Sequence, residues 1–277
     1  MELRTTAGQD GLAGILADPG RAVVGLDFDG TLAPIVADPE RARAHPGVVP
    51  ALAALAPRLA GVVIVTGRPA ELAVRYGGFA GVPGLERLTV LGQYGAERWD
   101  AATGELSSPP PPPGVAAVRA ELPEALAQAP AGTWVEDKGR ALAVHTRRTE
   151  DPDAALELLR RPVAELAAAH GLVVEPGRYV LELRPPGVDK GAALAEYLDE
   201  LAARAVLYAG DDLGDLPAYA VVEQRRKEGR PGLLVCSSAT TTGERQVTRL
   251  ADQADLVVPG PEGVVALLAE LARELAG

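Results

Sequence analysis

Two aspartates separated by one residue follow a short apolar run near the N-terminus. They are Asp27 and Asp29, and Gly30 and Thr31 come directly after them. Side chains two residues apart in an extended chain point the same way, so both carboxylates can face one phosphoryl group, one attacking it and the other transferring protons. Gly30 lets the chain turn sharply at this point. An Asp-Gly pair is also common in ordinary turns, so this segment alone does not distinguish a catalytic site from a capped strand end.

Five further polar residues complete a set that suits phosphoryl transfer. Thr66 follows a second apolar run, Lys190 precedes a predicted helix, and Asp211, Asp212 and Asp215 follow a later apolar run. A hydroxyl group and an ammonium group can hold phosphate oxygens, and carboxylates can hold a Mg²⁺ ion that offsets the repulsion between phosphate and a carboxylate nucleophile. Each of these residues, taken alone, is more typical of a solvated surface. Their occurrence together in this order favours a phosphoryl-transfer site with Mg²⁺ as its cofactor.

The polar residues follow segments with the composition of strands that are buried on both faces. Residues 21–26, 62–65 and 205–209 are short and apolar, which predicts strands of a parallel sheet. Apolar residues recur at helical spacing between positions 48 and 59, and they predict a helix that joins the first two strands. Ligands bind at the carboxyl edge of such sheets, so residues far apart in sequence can meet there. Further strands are predicted at 232–236 and 255–258, and further helices at 192–202 and 262–275.

A segment with a different rhythm lies between these two halves. It begins with five consecutive prolines at 109–113, a stiff spacer that cannot continue a helix or a central strand. A helix followed by two strands then occurs twice, which predicts a separate small domain. The predicted helices are 115–128 and 153–170, and the predicted strands are 133–137, 140–147, 172–175 and 179–184. The parallel pattern resumes after a linker at 185–189.

These patterns together predict an α/β fold. Its core is a doubly wound, Rossmann-like parallel sheet formed by residues 1–108 and 188–277, and a smaller α+β cap domain, residues 109–187, is inserted into it.

Composition narrows the classes of partner. The formal net charge of −11 and the lack of a basic cluster disfavour nucleic acid and anionic membrane surfaces. The N-terminal segment lacks the apolar run of a signal peptide, and no segment approaches the roughly 20 apolar residues of a membrane helix. The single cysteine, Cys236, excludes an internal disulfide framework. We therefore expect a cytoplasmic protein with a small-molecule substrate, and a monomer is compatible with the sequence.

The chain resembles the haloacid-dehalogenase superfamily of phosphotransferases in four motifs. The matching residues are Asp27-Phe-Asp-Gly-Thr31, Thr66, Lys190 and Gly210-Asp-Asp-Leu-Gly-Asp215. The insertion between the second and third motifs resembles the α/β cap that closes over sugar phosphates in this superfamily. The resemblance therefore implies an enzyme that admits its substrate between core and cap.

Within the superfamily the chain resembles the trehalose-6-phosphate phosphatases. The likeness rests on residues 26–35, 92–97, 135–138 and 175–185, which lead into Asp189-Lys-Gly191. It implies that Asp27 is the nucleophile and becomes an aspartyl-phosphate. It also implies that Asp29 is the acid for the leaving sugar oxygen and then the base for water. The implied Mg²⁺ ligands are Asp27, Asp29, Asp211 and Asp212, and the implied phosphate-binding residues are Thr66, Gly67, Arg68 and Lys190. Local pairing is the alternative interpretation of Arg68.

The same resemblance implies a set of residues that contact sugar hydroxyls. Carboxylates accept hydrogen bonds from hydroxyl groups and an ammonium group donates them, so a few charged groups can orient a polyol. Ordinary pairing on a solvated face is the alternative interpretation of these charges. The implied substrate-binding residues are Tyr94, Gly95, Glu97, Lys138 and Glu182, with Glu136 and Arg140 as further candidates.

Two departures from the family pattern leave alternatives open. The family usually carries histidine where Tyr94 stands, and its fourth motif usually continues differently where Gly214-Asp-Leu216 stands. The substrate is therefore trehalose 6-phosphate or the phosphate of another disaccharide or pseudo-disaccharide, and the role of Asp215 is undetermined. A sugar-phosphate sensor without turnover and a phosphomutase are the alternatives of other classes.

Overall fold

The computed structural model describes residues 3–36, 38–177, 179–238 and 245–276, and the side chains of residues 245–248 lie outside this description. The strands are β1 Ala22–Leu26, β2 Gly61–Val65, β3 Leu88–Gly92, β4 Glu97–Asp100, β5 Leu106–Ser107, β6 Trp134–Asp137, β7 Leu142–His145, β8 Val173–Gly177, β9 Val180–Arg184, β10 Ala205–Gly210, β11 Gly232–Ser237 and β12 Leu256–Val258. The helices are α1 Thr6–Ala17, α2 Val48–Leu55, α3 Ala70–Gly77, α4 Pro113–Ala125, α5 Pro152–Ala169, α6 Lys190–Glu200, α7 Leu216–Lys227, α8 Arg245–Gln253 and α9 Gly260–Glu274.

The chain divides into two structural units. The first comprises Met1–Ser108 and Asp189–Gly277, and the second comprises Pro109–Val188. That the second unit is an inserted cap domain stays a prediction.

The first unit is built on an eight-stranded sheet. Its strand order is β12-β11-β10-β1-β2-β3-β4-β5, and the first six of these strands run parallel. Strands β4 and β5 continue the sheet in antiparallel pairing at one edge. The predicted parallel core is therefore present, and the sheet is wider than the sequence indicated because the patterns did not reveal β3, β4 and β5.

The central strands are buried on both faces, which explains their apolar composition. Every residue of β1, β2, β10 and β11 is buried. Val24 and Leu26 of β1 belong to an apolar cluster that also contains buried residues of α2 and α9, whereas Val23 belongs to the cluster that contains α6 and α7 residues. Alternation along one strand thus supplies both faces, so that β1 is held at the centre of the sheet.

The predicted helix over 48–59 is shorter in the structure. Helix α2 ends at Leu55, and a turn of 3₁₀ helix, Ala56–Arg58, follows it. Pro57 lies inside that turn and has no amide hydrogen to continue the α-helical ladder.

The N-terminal helix α1 was not indicated by the sequence pattern. Gly8, Gly11 and Gly14 recur every third residue along it, and the three glycines lower its intrinsic helix propensity. A β-carbon at Gly11 would overlap the carbonyl group of Gly232 in β11. The glycines therefore let the helix backbone approach the sheet more closely than any side chain would allow.

We predict that Gly11→Ala destabilises the protein by about 2 kcal/mol, since overpacking costs up to about 3 kcal/mol and alanine regains about 1 kcal/mol of helix propensity. Urea unfolding would measure the change. Gly20→Ala is the control, because no atom lies within 4 Å of a β-carbon there, and a change within about 0.5 kcal/mol is expected. Equal stability of Gly11→Ala and the wild type would contradict this account of the contact.

The second unit contains a four-stranded antiparallel sheet with the order β6-β7-β9-β8. Leu142 and Val144 of β7 and Leu181 and Leu183 of β9 share a face, and they form an apolar cluster with buried residues of α4 and α5. The two helices thus cover one face of this sheet. The alternate residues, which include Glu136 and Glu182, lie on the other face.

Candidate active site

Asp27 lies at the carboxyl edge of the parallel sheet. It follows β1 directly, and its backbone amide donates a hydrogen bond of 2.9 Å to the carbonyl oxygen of Ala209 in β10. Thr66 follows the neighbouring strand β2, and Asp211 follows β10 on the other side. The residues that the sequence placed at three strand ends thus belong to adjacent strands of one sheet, as predicted for a parallel fold.

A buried ammonium group joins two of the carboxylates. Nζ of Lys190 lies 2.7 Å from Oδ1 of Asp27 and 2.8 Å from Oδ1 of Asp215. Lys190 is the first residue of α6, whose N-cap Asp189 accepts a hydrogen bond from the amide of Ala192. This cap fixes where the helix starts, and the position of the helix start places Lys190 next to Asp27.

Asp215 is fully buried and has more partners than the sequence could indicate. Besides Lys190, the hydroxyl group of Tyr208 donates a bond of 2.8 Å to its Oδ1, and the amides of Asp211 and Asp212 donate to its Oδ2 at 3.0 and 3.3 Å. Asp215 therefore shapes the loop that carries Asp211. The buried tyrosine of β10 gave no sequence signal of this role.

Burial and like charge shift the pKa values of these groups. Burial raises the pKa of Asp27 to about 8, against the opposing charge of Lys190 and with the help of Asp215. Burial and the negative charge of Asp27 also hold the pKa of Asp211 well above its ordinary value. Burial lowers the pKa of Lys190, but the charges of Asp215 and Asp27 outweigh it and hold that pKa well above the ordinary value. One ammonium group thus contacts two buried carboxylates, those of Asp27 and Asp215.

This arrangement fits a divalent cation. Asp27, Asp211 and Asp215 each offer a carboxylate oxygen, and these three oxygens lie within 4.8 Å of one another. Carboxylate oxygens are the ligands that hard divalent ions prefer, and a cation would stabilise their ionised forms. The donor set and its surplus of negative charge therefore suit a bound metal ion.

Two other predicted metal ligands have different partners. Both oxygens of Asp29 accept hydrogen bonds from Arg68, and Oδ1 of Asp212 accepts a bond of 2.8 Å from the amide of Gly214. Their carboxylates lie outside the group formed with Asp215. Their assignment as metal ligands stays a prediction.

The turn at Gly30, directly after Asp29, lies very close to the carboxylate of Asp211. Gly30 has a φ of +83°, and a β-carbon there would overlap the carboxylate of Asp211. The hydroxyl group of Ser237, at the end of β11, donates a buried bond of 2.7 Å to the carbonyl oxygen of Gly30. Only glycine allows both the backbone conformation and the close approach. Ser237 supports this turn, and no motif in the sequence indicated it.

The loop after β2 is held by a second loop. The amide of Tyr94 donates to the carbonyl of Thr66 at 2.9 Å, and the amide of Gln93 donates to the carbonyl of Arg68 at 2.8 Å. The phenol of Tyr94 lies against Gly67, where a β-carbon would come within 2.8 Å of its hydroxyl oxygen. Gln93 and Tyr94 adopt φ values of +48° and +59°. Left-handed conformations cost free energy in residues other than glycine, and such strained residues cluster at functional sites.

Glu97 lies inside the first unit and accepts hydrogen bonds there. Its Oε2 accepts from the amide of Ala70 at 2.8 Å, and its Oε1 accepts from Ser108 at 2.9 Å and from Gln93 at 3.3 Å. Glu97 is only 8% exposed. In this structure it binds the start of α3 and the end of the first segment of the chain, and a sugar contact by Glu97 stays a prediction.

The predicted sugar-binding residues of the second unit mostly share one face of its sheet. Lys138 and Glu182 form an ion pair with Nζ and Oε2 2.7 Å apart, and Glu136 binds Nε2 of His145 at 2.9 Å. The register places Glu136 and Glu182 opposite the same residue of β7, Ala143. Arg140 instead donates to the carbonyl oxygens of Pro109 and Pro110, so it fastens the proline segment.

The trehalose-phosphatase family model matches residues 25–254 of the chain. The chain belongs to the trehalose-phosphatase family. The predicted enzyme class, a phosphoric monoester hydrolase, is confirmed by this membership and by the relatives that follow.

Two curated relatives match most of the sequence. A probable trehalose-phosphate phosphatase from Sinorhizobium fredii is 31% identical over 220 residues, which cover 78% of this chain and 80% of the relative. The trehalose-phosphate phosphatase of Mycobacterium tuberculosis is 33% identical over 268 residues, which cover 90% of this chain. The chain spans 61% of the length of that mycobacterial relative.

A solved structure supports the fold. The C-terminal domain of a trehalose-6-phosphate phosphatase from C. albicans has a TM-score of 0.73 and 20% identity, and the match covers 99% of this chain and 98% of that one. The predicted fold class, a parallel-sheet α/β core with a smaller α+β unit, is confirmed by this likeness and by the sheet topology.

Within the described residues, no helix is long and apolar enough to span a bilayer.

Proposed function

We propose that the protein is a Mg²⁺-dependent phosphatase that hydrolyses trehalose 6-phosphate through an aspartyl-phosphate on Asp27. The observation that carries the proposal is the group of charges at the strand ends, in which Lys190 lies 2.7 Å from Asp27 while Asp211 and Asp215 lie beside it. A nucleophilic carboxylate needs neighbouring positive charge before a phosphate dianion can approach it. Lys190 supplies one such charge.

Asp27, Asp211 and Asp215 are the side chains of this chain that would hold the metal ion. A divalent cation in that position supplies Lewis-acid stabilisation of the transferring phosphoryl group and offsets its repulsion from the carboxylates.

The reaction then proceeds in two steps. A carboxylate oxygen of Asp27 forms a bond to phosphorus while the bond from phosphorus to the sugar oxygen breaks, and Asp29 gives its proton to that oxygen. Asp29, now ionised, takes a proton from a water molecule whose oxygen attacks phosphorus. The bond from phosphorus to Asp27 breaks, and phosphate leaves. Thr66 and Lys190 are the candidate donors to the non-reacting phosphate oxygens.

The second unit supplies groups of the kind that bind a polyol. Lys138 and Glu182 are partly or largely buried, so their charges are held in fixed positions rather than on mobile surface chains. Such groups recognise hydroxyl positions by paired hydrogen bonds. The presence of Tyr94 where the family usually has histidine favours, as a second candidate, a phosphatase for another disaccharide phosphate.

A panel of sugar phosphates assayed with Mg²⁺ tests the proposed function. We expect trehalose 6-phosphate to give the highest kcat/KM, with equimolar release of trehalose and inorganic phosphate. Preference for sucrose phosphate or glucosyl-glycerate phosphate would favour the second candidate. An isomerised sugar phosphate as product would indicate a phosphomutase, and binding without turnover would indicate a sensor.

We predict that removal of divalent ions with EDTA stops turnover and lowers the thermal unfolding midpoint, and that Mg²⁺ restores both. A ligand at about 100 times its dissociation constant stabilises the folded state by about 2.7 kcal/mol, which is large enough to measure. Asp211→Asn is expected to lose the Mg²⁺-dependent shift, whereas Asp10→Asn, an exposed change on α1, is expected to keep it. An unchanged Mg²⁺ shift in Asp211→Asn would contradict the assignment of the site.

A further inference from the structure

A bidentate ion pair joins the loop after β1 to the loop after β2. Nε of Arg68 lies 2.6 Å from Oδ2 of Asp29, and Nη2 of Arg68 lies 2.7 Å from Oδ1 of the same carboxylate. Both carboxylate oxygens therefore accept a bond from one guanidinium group. This fork geometry fixes the plane of a carboxylate, which a single hydrogen bond does not do.

Arg68 is itself held on its other sides. Its Nη1 donates a bond of 3.0 Å to the carbonyl oxygen of Pro39, and its guanidinium carbon lies 5.4 Å from the centre of the Tyr76 ring and 5.8 Å from that of Phe28. Its side chain is 13% exposed, whereas the side chain of Asp29 is 39% exposed. The arginine is thus the better fixed of the two partners, and it orients the aspartate rather than the reverse.

The direction of the guanidinium edge separates two roles for Arg68. The family resemblance made Arg68 a candidate for binding the phosphate, with local pairing as the alternative. Phosphate binding would require its paired donors to face phosphate oxygens. In the structure the Nε and Nη2 donors face Asp29 and the Nη1 donor faces Pro39. Each oxygen of a carboxyl group has two lone-pair positions, so Asp29 can keep both hydrogen bonds and still carry or accept a proton.

We propose that Arg68 is the positioning residue of the proton-transferring carboxylate: it holds Asp29 in the orientation that protonates the departing sugar oxygen, and it does not bind the phosphate. The inference rests on the proposed function, in which the proton of Asp29 passes to the oxygen as its bond to phosphorus breaks. In that step an electron pair of Asp27 forms the new bond to phosphorus, the pair of the broken bond stays on the sugar oxygen, and that oxygen takes the proton of Asp29.

The first test varies the basicity of the leaving group in Arg68→Gln. An alkoxide needs a proton as it leaves, whereas 4-nitrophenolate leaves without one. Loss of a positioned acid should therefore lower the turnover rate of the sugar phosphate and not that of 4-nitrophenyl phosphate. We expect kcat for trehalose 6-phosphate to fall by about 10²-fold with KM changed less than about threefold, and kcat for 4-nitrophenyl phosphate to fall less than about fivefold. Equal losses on both substrates, or a matching rise in the inhibition constant of inorganic phosphate, would overturn the proposal in favour of a phosphate-binding role.

The second test places Arg68→Gln in an Asp29→Asn background. A residue that acts only through Asp29 has nothing left to position there, so the double variant should turn over trehalose 6-phosphate within about twofold of Asp29→Asn alone. Losses that multiply would overturn the proposal. Arg68→Lys keeps the charge but not the fork, and it should restore little of the sugar-phosphate rate.

Arg75→Gln is the matched control. Arg75 is an exposed arginine of α3 whose guanidinium carbon lies 5.1 Å from the centre of the same Tyr76 ring. Loss of that ring contact without loss of the Asp29 pair should leave the ratio of the two substrates' rates unchanged. Far-ultraviolet circular dichroism and the unfolding midpoint of each variant exclude misfolding as the cause.

The same experiments separate failure of this inference from failure of the proposed function. If Asp29→Asn itself loses activity equally on both substrates, the acid role of Asp29 is wrong, and this inference is wrong with it. If Asp29→Asn discriminates between the substrates and Arg68→Gln does not, the proposed function stands and only the role of Arg68 is overturned.

Discussion

Asp27→Asn is expected to abolish turnover while the protein stays folded. Loss of a nucleophile removes the covalent route altogether, and comparable nucleophile replacements lower kcat by about 10⁴-fold or more. The amide has the same shape as the carboxylate, and Lys190 keeps its bond of 2.8 Å to Asp215. The burial that raises the pKa of Asp27 also shows that a neutral group at this position avoids a desolvation cost. The fold should therefore tolerate the change.

Two measurements check this expectation. The release of inorganic phosphate from trehalose 6-phosphate gives the rate, and acid quenching followed by mass spectrometry detects the phosphorylated protein. We expect a phosphorylated peptide that contains residue 27 in the wild type and none in the variant. Asp10→Asn serves as the control for an exposed carboxylate. Turnover by Asp27→Asn at more than about 1% of the wild-type rate would overturn the nucleophile assignment.

Lys190→Met is expected to have the largest effect on stability. Lys190 is 6% exposed and is the ammonium group that faces Asp27 and Asp215. Removal of one partner from a buried ion pair leaves charge uncompensated and costs about 3–5 kcal/mol. The rate should also fall by about 10²-fold to 10³-fold if Lys190 is the proposed donor to the transferring group.

A double variant identifies the cause of the destabilisation. If uncompensated charge is the reason, Asp27→Asn should restore part of the stability that Lys190→Met loses, since it removes one of the two carboxylates that have lost their ammonium partner. Urea unfolding of the two single variants and the double variant gives the coupling energy. Lys227→Met, an exposed change at the end of α7, should alter stability by less than about 0.5 kcal/mol. Additive losses in the double variant would indicate a packing defect instead.

The strand ends could be predicted because they rest on local composition. A strand buried on both faces must be apolar throughout, so a polar residue marks where the strand leaves the core. The strand predicted at 205–209 corresponds to β10, Ala205–Gly210, and the one at 62–65 to β2, Gly61–Val65. Differences of one or two residues arise where the last hydrogen bonds of the sheet, rather than composition, set the boundary.

Elements whose stability depends on their neighbours could not be predicted in this way. Helix α1 contains three glycines that weaken it in isolation and that are needed where it lies against β11. Strands β4 and β5 are short and lie at the edge of the sheet, with β5 exposed, so their composition has little of the apolar signal that marks a central strand.

The sequence by itself determined the fold class, the family and the set of candidate reactive side chains. Asp27, Thr66, Lys190 and Asp211 lie at strand ends and at a helix start that local patterns reveal, and the order of the motifs relates them to one chemistry. These features depend on short stretches of chain, and a single sequence contains them in full.

Only the tertiary structure decided which of these side chains pair with one another. It groups Asp215 with Asp27 and Asp211, and it pairs Arg68 with Asp29, two residues 39 positions apart in the sequence. Such partners are chosen by the register of the sheet and by close approaches such as that of Gly30 to Asp211. Packing between distant segments sets these distances, and no local pattern encodes them.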